Sequence, residues 1–389
     1  MIHVLSIIHY PIFGGPHNRN MRLSKLLAEK GFRTTVLLPD DPGNAADRLR
    51  NAGVEVVQLP LQRLRATIDL RVHFRFLKEF KEQIKSIRQL IEDLDIDLVQ
   101  INGLANPHGA LAAKGADVPV VWQLLDTYSP AFLRWTMSCL VRRYSDAIMS
   151  TGYRVAEVHP GIIRNPKKLI TFYPPVDTEL FCPDPMIKTL VRDRLGISED
   201  SIVIGTVGNI NLQKGHHNFI KAAAKLQAHL PNAKFIIFGA EHSNHKKHID
   251  SLLKLSTKLG LICDSDLFKL DPTGNVHEWV QALDIFWMTP QPRSEGIPTA
   301  MEEAMALEIP VVSFDVGGIS ELVEEGKAGF IIQDRSIEKL VETTLTQLLD
   351  PIRRNYIGKQ GRKYITENAS LSACIDKHLR AYQIALGKE

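Results

Sequence analysis

Short apolar runs rich in β-branched residues alternate along the chain with longer stretches whose apolar positions recur every three or four residues. The early runs are Ile2–Ile8, Thr34–Leu38, Val54–Leu59, Leu98–Ile101, Val118–Leu124 and Ala147–Ser150. They are bounded by glycine, proline or polar residues, which predicts buried strands. Asn18–Lys30 has helical spacing and stops at Gly31. The alternation predicts an α/β chain, with parallel sheets covered by helices on both faces. The rhythm breaks at Phe172–Pro185, whose four prolines and polar spacer suggest a linker. It resumes with strands at Ser201–Val207, Lys234–Phe238, Leu267–Leu270, Ile285–Met288 and Val311–Phe314, and a helix at Lys221–His229. The second half thus repeats the first. Two doubly wound domains are expected, residues 1–175 and 176–370, followed by an amphipathic segment, 371–389.

Composition narrows the class. The 389 residues are 44% apolar and 23% charged with a net charge of +3, values of a folded globular chain. So small a net charge gives no case for nucleic-acid binding. No apolar run approaches the roughly 18–20 residues of a membrane-spanning helix. The opening residues lack a basic leader segment and read as a strand ending in a glycine turn, not a signal peptide. Cys139, Cys182, Cys263 and Cys374 are scattered without a CxxC pair, which argues against a disulfide framework or zinc knuckle and for a cytoplasmic protein. One charge bias stands out. Arg63–Arg88 is helical in pattern and holds eight Lys/Arg against three Asp/Glu. That is either an ordinary solvated face or one that meets an anionic substrate or, peripherally, the inner face of a membrane.

The segment Pro290–Phe330, PQPRSEGIPTAMEEAMALEIPVVSFDVGGISELVEEGKAGF, carries the most chemistry. A strand ends near Thr289, and Pro298 stands where a helix over Thr299–Leu307 would begin. Free N–H groups at such a start, with the positive end of the helix dipole, bind anions. Gly296 lets a ligand approach the backbone. Glu295 and Glu303 can accept hydrogen bonds from sugar hydroxyls while the helix start holds phosphate. Lys214, in a loop after a strand, would stabilise a diphosphate as it leaves. Gly14 and Gly15 follow the first strand and precede a helix, so their amides can approach the same group.

These residues resemble the signature of the retaining glycosyltransferases of family 4, within glycosyltransferase group 1. The matching parts are the E-G-x-P-x-x-x-x-E pattern ending at Glu303, the following EAMA and PVVSFDVGG, GNINLQKG (Gly208–Gly215), the FGGPHN loop and YPPVDTELFCP. The resemblance implies a GT-B fold, two Rossmann-like domains facing a cleft whose closure limits hydrolysis. The first domain would take the acceptor and the second a UDP-, GDP- or ADP-sugar. It assigns donor-sugar hydroxyls to Glu295, ribose to Glu303, diphosphate to the backbone of Ile297, Pro298 and Thr299, and diphosphate charge to Lys214, leaving Glu302 as the solvated neighbour. The reaction implied is metal-independent transfer to an acceptor hydroxyl with retention, without a separate cofactor. The acceptor would be a carbohydrate, a lipid-linked group or a small molecule. The last segment is expected to cross back to the first domain.

Two positions depart from the family pattern. Asn209 replaces an arginine, for which Arg293 is a spatial substitute. Leu125 replaces a histidine that contacts the donor sugar, leaving Gln123 or Asp126 to hold a hydroxyl. Both departures keep two alternatives open, a non-catalytic sugar-nucleotide-binding homologue and another enzyme of the same fold such as an epimerase. Asp264-Ser265-Asp266 reads as DxD but is expected in a solvated loop. His242, His245 and His248 have metal-ligand spacing but no acidic or cysteine partner, which favours an exposed polar turn.

Overall fold

The computed structural model describes residues 1–62, 70–240, 246–271, 274–292 and 296–388. They fall into two compact units, residues 1–175 with 371–389, and residues 176–370.

The first unit runs β1 (Ile2–Ile8), α1 (Gly15–Glu29), β2 (Phe32–Pro39), α2 (Ala45–Asn51), β3 (Glu55–Leu59), α3 (Leu70–Asp93), β4 (Leu98–Asn102), α4 (Pro107–Gly115), β5 (Val120–Leu124), α5 (Ala131–Tyr144), β6 (Ala147–Thr151), α6 (Tyr153–Val158) and β7 (Leu169–Phe172). Among the described residues its strands form one parallel sheet in the order β3-β2-β1-β4-β5-β6-β7. Register is fixed by pairs such as Val4 with Thr34 and with Leu98. Both faces are covered, which is why β1, β4 and β5 read as nearly unbroken apolar runs. Residues of α3, α4 and α5 share an apolar cluster with Leu5, Ile7, Val99 and Trp122. Leu23 and Leu27 of α1 share another with Val4, Leu98, Val121 and Met149.

The second unit runs α7 (Pro185–Arg194), β8 (Val203–Val207), a 3₁₀ turn (Leu212–Lys214), α8 (His216–Gln227), β9 (Lys234–Phe238), α9 (Lys246–Lys258), β10 (Leu267–Leu270), α10 (Val276–Trp279), β11 (Ile285–Met288), α11 (Thr299–Ala306), β12 (Val311–Phe314), α12 (Ile319–Glu325), β13 (Gly329–Ile332), α13 (Ile337–Gln347) and α14 (Pro351–Asn368). Its parallel sheet has the order β10-β9-β8-β11-β12-β13. Buried Phe219, Phe235 and Trp287 meet in its core. At its amino edge Asp284 binds Lys188 at 2.7 Å, Arg192 at 2.6 Å and the Val203 amide at 2.8 Å, fastening α7 to the sheet. The chain then re-enters the first unit as α15 (Leu371–Ala385), which buries Cys374, Ile375 and Tyr382 beside α1 and β5–β7.

Several boundaries differ from the sequence pattern. Helix α1 starts at Gly15, not Asn18, because Pro16 fits a first helical turn. Helix α8 starts at His216, not Lys221, because left-handed Gly215 (φ 67°) ends the 3₁₀ turn and leads directly into it. The sheet-edge strands β7 and β13 add to the strands that the sequence pattern predicts. The DxD loop is not wholly solvated. Asp264 is exposed, but Asp266 is 9% exposed and its carboxylate accepts the Ile262 amide at 3.0 Å with Lys234 at 3.4 Å. Of the histidine triplet, His242 and His245 lie outside the described residues, and His248 lies on α9. Among the described residues no helix is long and apolar enough to cross a membrane.

Candidate functional site

In the second unit the strand order reverses between β8 and β11. Ligands of open α/β sheets bind outside the carboxyl ends of the strands at such a point. Three loops emerge there, and close backbone contacts tie them together.

The loop after β8 holds Asn209 and Lys214. Asn211 caps its 3₁₀ turn, accepting the Gln213 amide at 3.0 Å and the Lys214 amide at 3.2 Å. The Lys214 stem folds back over Gly208, where an added Cβ would meet its Cγ, Cδ and Cε at 3.3 Å. Lys214 is half-buried and Asn209 exposed.

The loop after β11 is held to this turn by Gln291, whose N–H donates to the Gln213 carbonyl at 2.9 Å and whose Nε2 donates to His217 Nε2 at 3.0 Å. It leads to Gly296, Ile297 and Pro298, all buried, and to α11. Pro298 is the N-cap residue and carries no N–H, so it shapes the loop rather than donating to an anion. The first-turn amides of α11, beginning with Thr299, have no side-chain cap. The loop after β12 closes the group. The Gly318 amide donates to the Gly296 carbonyl at 3.0 Å, and a Cβ on Gly318 would press to 2.9 Å from Ile297 Cγ1. This contact accounts for the second glycine of SFDVGG, and the first, Gly317, adopts a left-handed φ of 65°.

Glu303, in the second turn of α11, is half-buried. Glu302 is fully buried, which overturns its reading as the solvated neighbour. The helix turns its Met301, Glu302 and Met305 face inward, and that rotation puts Glu303 nearer solvent. Glu295 and Arg293 lie outside the described residues.

In the first unit Gly14 precedes α1 in an extended conformation (φ −156°) and Gly15 opens the helix. A Cβ at either would meet nothing within 4 Å. The Gly14 amide is engaged, because it donates to His17 Nδ1 at 3.1 Å. That fixes the His17 proton on Nε2, which donates to the Tyr10 carbonyl at 2.9 Å. Burial pushes the His17 ring down to about 4, so it is neutral at pH 7. Gln123 does not offer an amide to a ligand. It is fully buried, accepting from Arg19 and donating toward His378 Nε2 at 3.2 Å. Half-buried Leu125 packs against the α1–α15 cluster, and Asp126 accepts the Tyr128 amide at 3.2 Å in a local turn. Sequence reasoning missed the His17 clamp, although a histidine two residues after a glycine pair at a helix start could have suggested it.

Two parallel doubly wound units, with a lysine-bearing loop and an uncapped helix start at a strand-order reversal, define a GT-B glycosyltransferase fold. A structure of Anabaena HepE in complex with UDP and glucose superimposes with a TM-score of 0.80 at 20% identity, covering 98% of this chain and 100% of that one. The family model "Glycosyl transferases group 1" matches residues 188–364, and "Glycosyl transferase 4-like domain" matches residues 14–159. The chain belongs to the group 1 glycosyltransferases. It is 24% identical to a GDP-mannose-dependent alpha-(1-6)-phosphatidylinositol monomannoside mannosyltransferase of Mycobacterium tuberculosis, over 88% of each chain. It is 31% identical to the lipopolysaccharide core biosynthesis mannosyltransferase LpsB of Rhizobium meliloti, over 60% of this chain and 63% of that one.

Proposed function

We propose that this glycosyltransferase moves a hexose from a nucleoside-diphosphate sugar to an acceptor hydroxyl with retention at the anomeric carbon, without a metal ion. The interlocked loops after β8, β11 and β12 carry the reading. They set Lys214 and the uncapped start of α11 at one strand-order reversal, a cation and free N–H groups for a leaving diphosphate. Lys214 opposes the charge that grows on the diphosphate as the glycosidic bond breaks. Glu303 holds the ribose and Glu295 the donor-sugar hydroxyls. The departing diphosphate oxygen takes the acceptor proton on the face it leaves.

The name of the Mycobacterium tuberculosis relative favours GDP-mannose as donor and a lipid-linked acceptor, and that of LpsB a mannosyl donor; a structure of HepE in complex with UDP-glucose makes that sugar nucleotide the second candidate. A lipid-linked acceptor calls for contact with a membrane surface. Phe132 (78% exposed) and Trp135 (57%) lie a turn apart on α5, after exposed Tyr128, and Arg142 and Arg143 are exposed toward its end. Aromatic and basic side chains sharing one helix suit an interface with anionic lipid.

Thermal-shift screening with GDP-mannose, UDP-glucose and ADP-glucose in EDTA tests the donor, since a ligand of the folded state raises its stability by mass action. No shift with any of them would remove the reading. Exposed Asn209, which carries no charge, favours a second reading, a sugar-nucleotide-binding protein without turnover. Activity gained only on Asn209→Arg would select it.

A further inference from the structure

Arg19 is a cation buried without a counter-charge. It projects from α1, is 5% exposed, and lies beneath the carboxyl ends of β4 and β5. Its Nη2 donates to Asn102 Oδ1 at 2.6 Å and to Gln123 Oε1. Its Cζ stands 5.1 Å from the centroid of the Phe172 ring. Each of these partners is neutral. No carboxylate among the described residues pairs with it, and its Nε–H is buried without a hydrogen-bond partner. Burial pushes its pKa down to about 10, so it stays charged at neutral pH.

The surrounding network holds the guanidinium in place without neutralising it. Asn102 turns its amide nitrogen to Ser6 Oγ at 3.0 Å and the Ile7 carbonyl at 3.1 Å, so its oxygen faces Arg19. Gln123 is oriented the same way by His378, whose Nδ1–H donates to the Cys374 carbonyl at 2.8 Å, leaving Nε2 to accept. A buried ion held only by dipoles retains much of its desolvation cost. An anion brought to it would gain an interaction that nothing in the first unit supplies.

The position suits a ligand. The strand order of the first unit reverses between β1 and β4, and Asn102 is the last residue of β4. At the same edge His108, fully buried at the start of α4, stacks on His9 with ring centroids 5.5 Å apart. Neither ring nitrogen of His108 has a hydrogen-bond partner among the described residues. We propose that Arg19 is the anion-recognition residue of the first unit and binds a phosphate group of the sugar acceptor at the carboxyl ends of β1, β4 and β5. The assignment to the acceptor rests on the transferase reading; the anion site does not.

The test uses the full-length ¹⁵N-labelled protein and the Nε–H resonance of Arg19, assigned by its loss in Arg19→Lys and Arg19→Gln. The probe is glycerol 3-phosphate, with glycerol as the neutral control and nucleoside diphosphate as a separate arm. A saturable shift with glycerol 3-phosphate but not with glycerol is expected. It should persist in Lys214→Ala, and Arg19→Gln should weaken glycerol 3-phosphate binding at least about tenfold while the protein stays folded. If the resonance does not move while nucleoside diphosphate still raises the melting temperature, the anion site falls and the transferase reading stands. If only nucleoside diphosphate moves it, the phosphate belongs to the donor and the acceptor assignment falls. If Arg19→Gln unfolds the protein, the resonance in the unsubstituted chain still decides between the outcomes.

Discussion

Thr289 donates its hydroxyl hydrogen to the Gly215 carbonyl at 3.1 Å, and Gly215 leaves no room for a side chain beside the Thr289 carbonyl oxygen. This backbone approach joins the loop carrying Lys214 to the loop leading into α11. Gly215 also needs a left-handed φ of 67°. Gly215→Ala should therefore lose about 1–3 kcal/mol from the backbone conformation alone, with more from the overlap. Urea denaturation measures the loss. Donor affinity should fall with it, because the two loops separate. Stability equal to that of the unsubstituted chain would show that the loops are not held this way.

Adjacent carboxylates on α11 should fail differently. Glu303→Ala should weaken nucleoside-diphosphate binding by about 1.5–3 kcal/mol, the value of a hydrogen bond to a charged group, and leave the melting temperature nearly unchanged. Glu302→Ala removes a fully buried side chain and should lower the melting temperature first. Calorimetry with GDP and UDP, beside thermal melts, separates the two. Unchanged nucleotide affinity in folded Glu303→Ala would take Glu303 out of the site.

The contrast marks what the sequence could carry. Strands such as Val120–Leu124 and Ile285–Met288 are legible because burial on both faces leaves unbroken or nearly unbroken apolar runs. Part of the E-G-x-P-x-x-x-x-E segment is legible because Pro298 meets a local demand, that of the residue that opens α11. Which of Glu302 and Glu303 turns inward depends on the rotation of α11 against the sheet, and an eight-residue helix has too few turns to show it by periodicity. Arg19 escaped for the same kind of reason. It lies on a polar stretch of α1, and its burial comes from β4, β5, β7 and α15, far away along the chain. Gln123, read as a ligand contact, is held by that same long-range network.

Acid should destabilise the fold through histidines buried in the neutral form. Burial pushes His17, His108 and His216 down to about 4, and His378 to about 3. The unfolded chain, with histidines near 6.5, binds more protons between these values. The stabilisation is therefore complete above about pH 6.5 and declines as pH falls toward 4, by up to about 1.4 kcal/mol per pH unit for each such histidine. Urea midpoints at pH 7.5, 6.5, 5.5 and 4.5 measure it. A midpoint that holds steady or rises over this range would contradict the buried neutral state.

Membrane contact through α5 predicts a spectroscopic change. With vesicles of phosphatidylcholine and phosphatidylglycerol, fluorescence from exposed Trp135 should shift to the blue, and vesicle binding should weaken with salt as the basic residues are screened. Phe132→Ala with Trp135→Ala should reduce vesicle binding without lowering the melting temperature, since both side chains are exposed. Equal binding by the double variant would move the contact elsewhere, with exposed Lys81, Lys85 and Arg88 on α3 as the next surface to alter.

Lys214 separates chemistry from binding. Its charge opposes one that grows only as the donor bond breaks, so Lys214→Ala should lower kcat more than donor affinity. Removal of comparable preorganised groups costs roughly 10²–10³ in turnover, and exposed Asn209 supplies no second charge to soften the loss. Activity should survive EDTA. Asp264→Ala should leave activity unchanged, whereas Asp266→Ala should lower stability by about 1 kcal/mol, because its carboxylate holds the Ile262 amide rather than a ligand. The measurement is nucleoside-diphosphate release with the identified donor and acceptor, alongside donor affinity, for each variant. Turnover by Lys214→Ala equal to the unsubstituted enzyme would overturn the phosphate assignment. Loss of activity in EDTA, restored by Mg²⁺ or Mn²⁺, would show instead that the leaving diphosphate is stabilised by a metal ion.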